Sequence, residues 1–266
     1  MLTRIISALI GAPLILLFLF VKGNYLYLFA GVLSLVGMYE YYRAVGNIGI
    51  KTASLAGYLF CIAFYVLQLI YPEAEVFSKL LPMLLLVVFT YELFTRKSGV
   101  TGVAHTLFGF VYVSFLLAHL IFINKLQNGE FLIWLPFFTA WFTDTAAYFT
   151  GVSIGKHKLF PSISPNKTVE GYLGGIIGGS ILTTLFGIII RSYGCPIPLT
   201  HFIVIGLICG FASEVGDLAA SYIKRFTGIK DFGSLIPGHG GILDRFDSIL
   251  FTMPVVYYYF MIVQNI

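Results

Sequence analysis

Asp144 and Asp217 are the first residues to weigh, because each is a carboxylate set in an otherwise apolar run. Such a group is costly at membrane depth unless it is paired or faces a wet cavity. Asp217 has company: Ser213, Asp217, Ser221 and Lys224 or Arg225 recur at nearly four-residue intervals. On a helix that spacing stacks hydroxyls, a carboxylate and cations along one face, which must look toward protein or water. The 24 residues from Lys224 to Asp247 concentrate further chemistry. Gly238, Gly240 and Gly241 allow a tight turn whose bare amides suit phosphate oxygens. Asp244 and Asp247, three apart, would project from one helical face as oxygen ligands for a hard cation. Lys224, Arg225, Lys230 and Arg245 can neutralise a polyphosphate.

A second polar segment runs from Pro161 to Gly171. Pro165 fixes the chain just before Asn166, Lys167 and Thr168, and Glu170 opens the apolar run that follows. A lysine and hydroxyls at a helix N-terminus make an anion site. This is no Walker loop, because the first glycine and the final hydroxyl around Lys156 are misplaced. Taken singly, each feature has a plainer meaning. A glycine cluster is a turn, bases beside a membrane are topology signals, and Glu214 is a solvated span end. Together they mark a site for phosphate chemistry.

The elements that must position these residues are membrane helices. The chain has 266 residues, 58% hydrophobic and 11% charged, with a mean hydropathy of +0.92. Soluble domains carry about 25% charged residues, so a soluble enzyme, a disordered tail and a nucleic-acid module are all excluded. Three cysteines without CxxC spacing read as buried thiols, and five histidines show no HxxxH or HExxH pairing, so zinc is not expected.

Runs of roughly 20 apolar residues, the length a bilayer core requires, predict an all-α integral membrane protein with about nine spans. They fall near 3–21, 25–42, 52–71, 80–94, 103–123, 131–151, 170–190, 200–222 and 248–264. Residues 1–21 read as the first span, not a signal peptide, since no small-residue cleavage site follows. Of the Lys and Arg residues, 12 fall at the N-terminus or in even-numbered loops and 4 in odd-numbered ones. That bias predicts a cytoplasmic N-terminus, an outer C-terminus and cytoplasmic loops 152–169 and 223–247. All five aspartates follow residue 143, whereas Glu40, Glu73, Glu75 and Glu92 read as interface-solvated. A division into structural and dimerising helices 1–129 and a catalytic region 130–266 follows. The glycines at 171, 174, 175, 178 and 179 are expected to allow close helix packing.

The run from Ser221 to Asp247 resembles the signature of phosphatidate cytidylyltransferases, the CDP-diacylglycerol synthases. It matches at Ser221, Ile223, Lys224, Arg225, Lys230, Asp231, Gly233, Ile236, Pro237, His239, Gly240, Gly241, Ile242, Asp244, Arg245, Phe246 and Asp247. The segments Ser164 to Gly171 and Asp144 to Tyr148 are also similar to family segments, with Asn166 where the family usually has glycine. The likeness is strong over residues 130–260; the earlier spans are similar mainly in hydropathy.

The resemblance implies a homodimeric enzyme of the cell's inner membrane, its site facing the cytoplasm, that joins CTP to phosphatidate and releases CDP-diacylglycerol and pyrophosphate. It implies a divalent ion, normally Mg²⁺, with a second cation such as K⁺ left open. On this footing Asp217 and Asp244 are expected to hold the metal, with Asp247 as a further ligand or a support for one. Lys167, Lys224 and Arg225 would bind triphosphate or lipid phosphate, and His239, Gly240 and Gly241 would line the site. Asp144 and Glu170 would orient basic groups or complete the metal shell. Ser164, Asn166, Thr168, Ser221, Lys230 and Arg245 complete the substrate-binding candidates. No general base is required, because the lipid phosphate is already ionised. A CTP-dependent polyprenol kinase and an ether-lipid cytidylyltransferase stay open as alternatives, and a cation-coupled transporter more remotely.

Overall fold

A computed structural model of the chain describes residues 23–264. Helices dominate it: α1 (Asn24–Gly46), α2 (Ser54–Ile70), α3 (Val76–Thr95) and α4 (Gly99–Gly109) come first. A π-helical turn, Phe110–Phe115, carries α4 directly into α5 (Leu116–Lys125). A single turn, α6 (Gly129–Leu132), precedes α7 (Leu135–Ile154), and after a hairpin come α8 (Val169–Ser192), α9 (Leu199–Phe226) and α10 (Leu243–Gln264). The expected apolar runs from 25–42 onward fall on helical segments, the run at 131–151 being divided between α6 and α7, while the run at 3–21 lies outside the described residues. Among the described residues, five helical stretches are long and apolar enough to cross a membrane: Val76–Thr95, Gly99–Lys125, Val169–Ser192, Leu199–Phe226 and Leu243–Gln264.

The all-α expectation needs one amendment. Lys158–Phe160 (β1) and Ser164–Thr168 (β2) pair antiparallel, with Lys158 opposite Thr168 and Phe160 opposite Ser164. Pro161 starts the connecting turn, which the Ile163 N–H closes onto the Phe160 carbonyl at 3.1 Å. Proline pre-sets the backbone angle that this turn position needs, and it blocks a helix here.

The described residues form two compact units, 23–121 with 224–245 and 122–223 with 246–264. In the first, α1, α2 and the α4–π–α5 helix pack around Tyr41, Tyr42, Phe64, Tyr65 and Phe110. The hydroxyl of Tyr65 donates to the Ser114 carbonyl at 3.0 Å, satisfying an acceptor inside the π turn. In the second unit α7 and α8 lie against each other along a seam of small residues. A Cβ on Gly174 would overlap Thr150, one on Gly178 would sit 2.7 Å from the Ala146 Cβ, and one on Gly179 would strike Thr143. The glycine run therefore serves close packing, as its spacing suggests. Cys61, Cys195 and Cys209 are free and buried.

Candidate active site

The hairpin, α7, α8 and α9 of the second unit enclose a cavity of about 510 Å³. Its walls carry Asp144, Tyr148, Asn166, Lys167, Thr168, Tyr172, Glu214 and Asp217. Local sequence explains the wall that bears Lys167. Thr168 ends β2 with extended backbone and caps α8, its hydroxyl accepting the Gly171 N–H at 3.1 Å. Glu170 in the first turn accepts the amides of Lys156 at 3.0 Å and His157 at 3.2 Å, and the His157 ring at 2.5 Å. The start of the hairpin is thereby tied to the start of the helix, and Lys167 is held one residue before the cap.

Lys167 reaches two acids on α9. Its Nζ lies 2.6 Å from Glu214 Oε2 and 2.7 Å from Asp217 Oδ2. Burial disfavours the ammonium, but Asp217 and then Glu214 outweigh it and hold Lys167 above its ordinary value. Ser221, one turn beyond, donates to Asp217 Oδ1 at 3.4 Å. With Asp144, the cavity holds three carboxylates against one lysine. Such a lining repels a polyphosphate until a cation is added. Hard oxygen donors of this kind fit a hard divalent ion, and Mg²⁺ ordinarily takes one or two carboxylates and completes its shell with water and phosphate. Among the described residues no three His, Cys, Asp or Glu side chains are grouped to enclose a metal by themselves.

The glycine loop organises itself in the first unit. Asp244 accepts Lys224 Nζ on Oδ1 at 2.8 Å, and the amides of Phe232 and Gly241 on Oδ2 at 2.7 and 2.9 Å. Gly238 and Gly240 take left-handed backbone (φ 78° and 84°) on either side of His239, letting Ile236 and Gly240 bridge. Lys224 also lies 5.6 Å from the centre of the Phe232 ring. Arg225 donates to the Ile229 carbonyl at 3.4 Å, and Lys230 and Arg245 are exposed.

A model of the cytidylyltransferase family matches residues 2–263. The chain belongs to the cytidylyltransferase family. It is 34% identical over 263 residues to the phosphatidate cytidylyltransferase of Bacillus subtilis (strain 168), covering 96% of each chain. It is also similar to enzymes of that name from Staphylococcus haemolyticus (strain JCSC1435), at 34% identity over 260 residues, and Staphylococcus aureus (strain COL), at 33% over 263. Each covers 96% of this chain, which in turn covers 95% of each.

In this cytidylyltransferase the site residues expected from sequence fall into two clusters. Asp144, Asn166, Lys167, Thr168 and Asp217 surround the cavity, with Ser221 behind Asp217. Lys224, His239, Gly240, Gly241 and Asp244 build the loop. Ser164 and Glu170 belong to the hairpin's framework and do not line the cavity. Asp247 lies on α10, where its Oδ1 accepts the Ser248 amide at 2.8 Å.

Two acids read as solvated are not. Glu214 has 2% of its side chain exposed, in the ion pair with Lys167. Its spacing three before Asp217 on a membrane helix is the signal that could have found it. Glu40 is 3% exposed and accepts the amides of Ile242 and Leu243, while Arg43, one turn on, donates to the Phe232 carbonyl at 2.7 Å.

Proposed function

We propose that the chain transfers a cytidylyl group from CTP to phosphatidate, producing CDP-diacylglycerol and pyrophosphate. The observation that carries this reading is a cavity lined by one lysine and three carboxylates, on a chain that is similar over 96% of its length to a phosphatidate cytidylyltransferase. An ionised oxygen of the lipid phosphate attacks the α-phosphorus, a new P–O bond forms, and the α–β P–O bond breaks to release pyrophosphate. No side chain has to remove a proton. The work left to the protein is to hold crowded negative charges and to receive the charge growing on the leaving group.

Lys167 has three N–H donors and spends two on Glu214 and Asp217, so one remains for a phosphate oxygen. Asp217, with Asp144 in the same cavity, would hold Mg²⁺, and a second cation such as K⁺ fits the same acid excess. When bound, the ion supplies charge neutralisation to the phosphates. Asp244 and Asp247 are the sequence's further candidates for that ion. The hydrogen bonds of Asp244 favour for it the task of shaping the glycine turn, where bare amides and Lys224, Arg225, Lys230 and Arg245 receive phosphate.

The finer topology belongs to the same reading. Nine spans, with the N-terminus cytoplasmic and the C-terminus outside, agree with the 12-to-4 distribution of basic residues. The site then opens to the cytoplasm of the inner membrane and the acyl chains stay in the bilayer. Helices 1–129 would scaffold and dimerise the enzyme, with chemistry in 130–266. The test is purified full-length protein with labelled CTP, phosphatidate and Mg²⁺, with EDTA as control. A CDP-lipid and pyrophosphate support the proposal; CDP with a newly phosphorylated lipid, or no consumption of CTP, overturns it.

A further inference from the structure

Lys167 touches two carboxylates whose surroundings differ. Glu214 has 2% of its side chain exposed and Asp217 has 31%. Glu214 packs close over Gly175, where a Cβ would stand 3.0 Å from Glu214 Oε1. A carboxylate this deep cannot part from its ammonium without leaving an uncompensated buried charge. Asp217 is under no such constraint. It stands on the cavity wall and keeps the Ser221 hydroxyl as a second partner.

We infer that Glu214 is a positioning residue that anchors Lys167 so that Asp217 can exchange the lysine for a cation. The inference rests on the proposed cytidylyl transfer and assigns a role within its site. Before the cation enters, Lys167 neutralises both acids. As the cation takes Asp217, Glu214 keeps the ammonium in place, and the N–H that Asp217 released turns to a phosphate oxygen. Without Glu214, Lys167 would depend on Asp217 alone and would compete with the cation for it.

The experiment measures Mn²⁺ binding by electron paramagnetic resonance to the full-length protein in nanodiscs, without nucleotide. Glu214→Gln weakens Mn²⁺ binding by roughly tenfold, the scale of coupling between charged groups in contact. Because Glu214 acts through Lys167, that loss disappears when Lys167→Met is already present. An equal loss in both backgrounds means a through-space charge effect and overturns the inference, as does unchanged binding in Glu214→Gln.

A second readout does not need the Lys167→Met protein to fold. Mass spectrometry follows acetylation of Lys167 with and without Mn²⁺. Mn²⁺ speeds acetylation in Glu214→Gln, where the amine loses its last anchor, and leaves it unchanged in the wild type. Equal response in the two proteins overturns the inference. Failure of the wild type to bind Mn²⁺ or to form a CDP-lipid is a separate result and brings down the proposed function itself.

Discussion

Glu40 Oε2 accepts the backbone N–H of Leu243 at 2.9 Å, across 203 positions of sequence. Its other oxygen accepts Ile242 at 3.0 Å, so a carboxylate on α1 caps the first turn of α10. The glycine loop leans on the same group: a Cβ on Gly233 or Gly241 would overlap it.

Glu40→Gln should therefore damage a loop it does not belong to in sequence. The amide keeps one acceptor but turns an N–H₂ toward a backbone donor, and an unsatisfied buried donor costs about 1–3 kcal/mol. The expected outcome is a lower melting temperature together with faster amide exchange in residues 232–243. Wild-type exchange there would contradict the capping role.

Asp217→Asn and Asp244→Asn should fail in different ways. Asp217 is part-exposed on the cavity wall, so its variant should fold normally and lose turnover. Asp244→Asn leaves Lys224, whose side chain is 12% exposed, without its counter-charge. Breaking a buried pair in this way costs about 3–5 kcal/mol. Limited proteolysis should then cut between residues 228 and 242 in the second variant and not in the first.

Lys167 gives a pH dependence with a definite sign. Burial opposes its charge, but Asp217 and Glu214 hold its folded value above the ordinary 10.5. Stability from this group is fully present below the ordinary value and is lost only as pH rises through the folded one. Melting temperatures of the wild type and of a Lys167→Met/Glu214→Gln double variant should keep a constant difference across the neutral range. The difference should shrink in the alkaline range above 10.5.

Gly178→Ala should destabilise the protein by about 1–3 kcal/mol through overpacking, since its Cβ would lie 2.7 Å from the Ala146 Cβ. Ala146→Gly should restore the melting temperature, because it removes the atom struck. If the second change leaves the loss intact, the seam is not what makes glycine necessary there.

Helices were legible in the sequence because apolar runs of bilayer length admit few other structures. Lys167, Thr168 and Asp217 were legible because hydroxyls, an ammonium and a carboxylate flank apolar runs at helical spacing. The β1–β2 hairpin was not: two strands this short, with Pro161 between them and Pro165 inside the second, carry too little periodicity to stand out. Glu40 was hidden for a different reason. A carboxylate near a span end looks solvated until its partners are known, and its partners are amides, which every residue but proline possesses. Glu214 was passed over because its neighbour Asp217 explained the polar face, while the burial that separates their roles is set by packing against other segments, Lys167 and Gly175 among them.

The seam between α7 and α8 sets glycines of α8 directly against the small side chains of Thr143, Ala146 and Thr150 on α7. Two helices fitted this closely behave as one girder, and it carries Asp144 at one edge of the cavity while Lys167 precedes its second member. The gap the reactants must fill is thus gauged by that close fit, which a side chain added at Gly174, Gly178 or Gly179 would force apart. Outward residues such as Leu173, Ile177 and Ile181, each more than half exposed, can drift to suit a changing lipid mixture without disturbing that gauge.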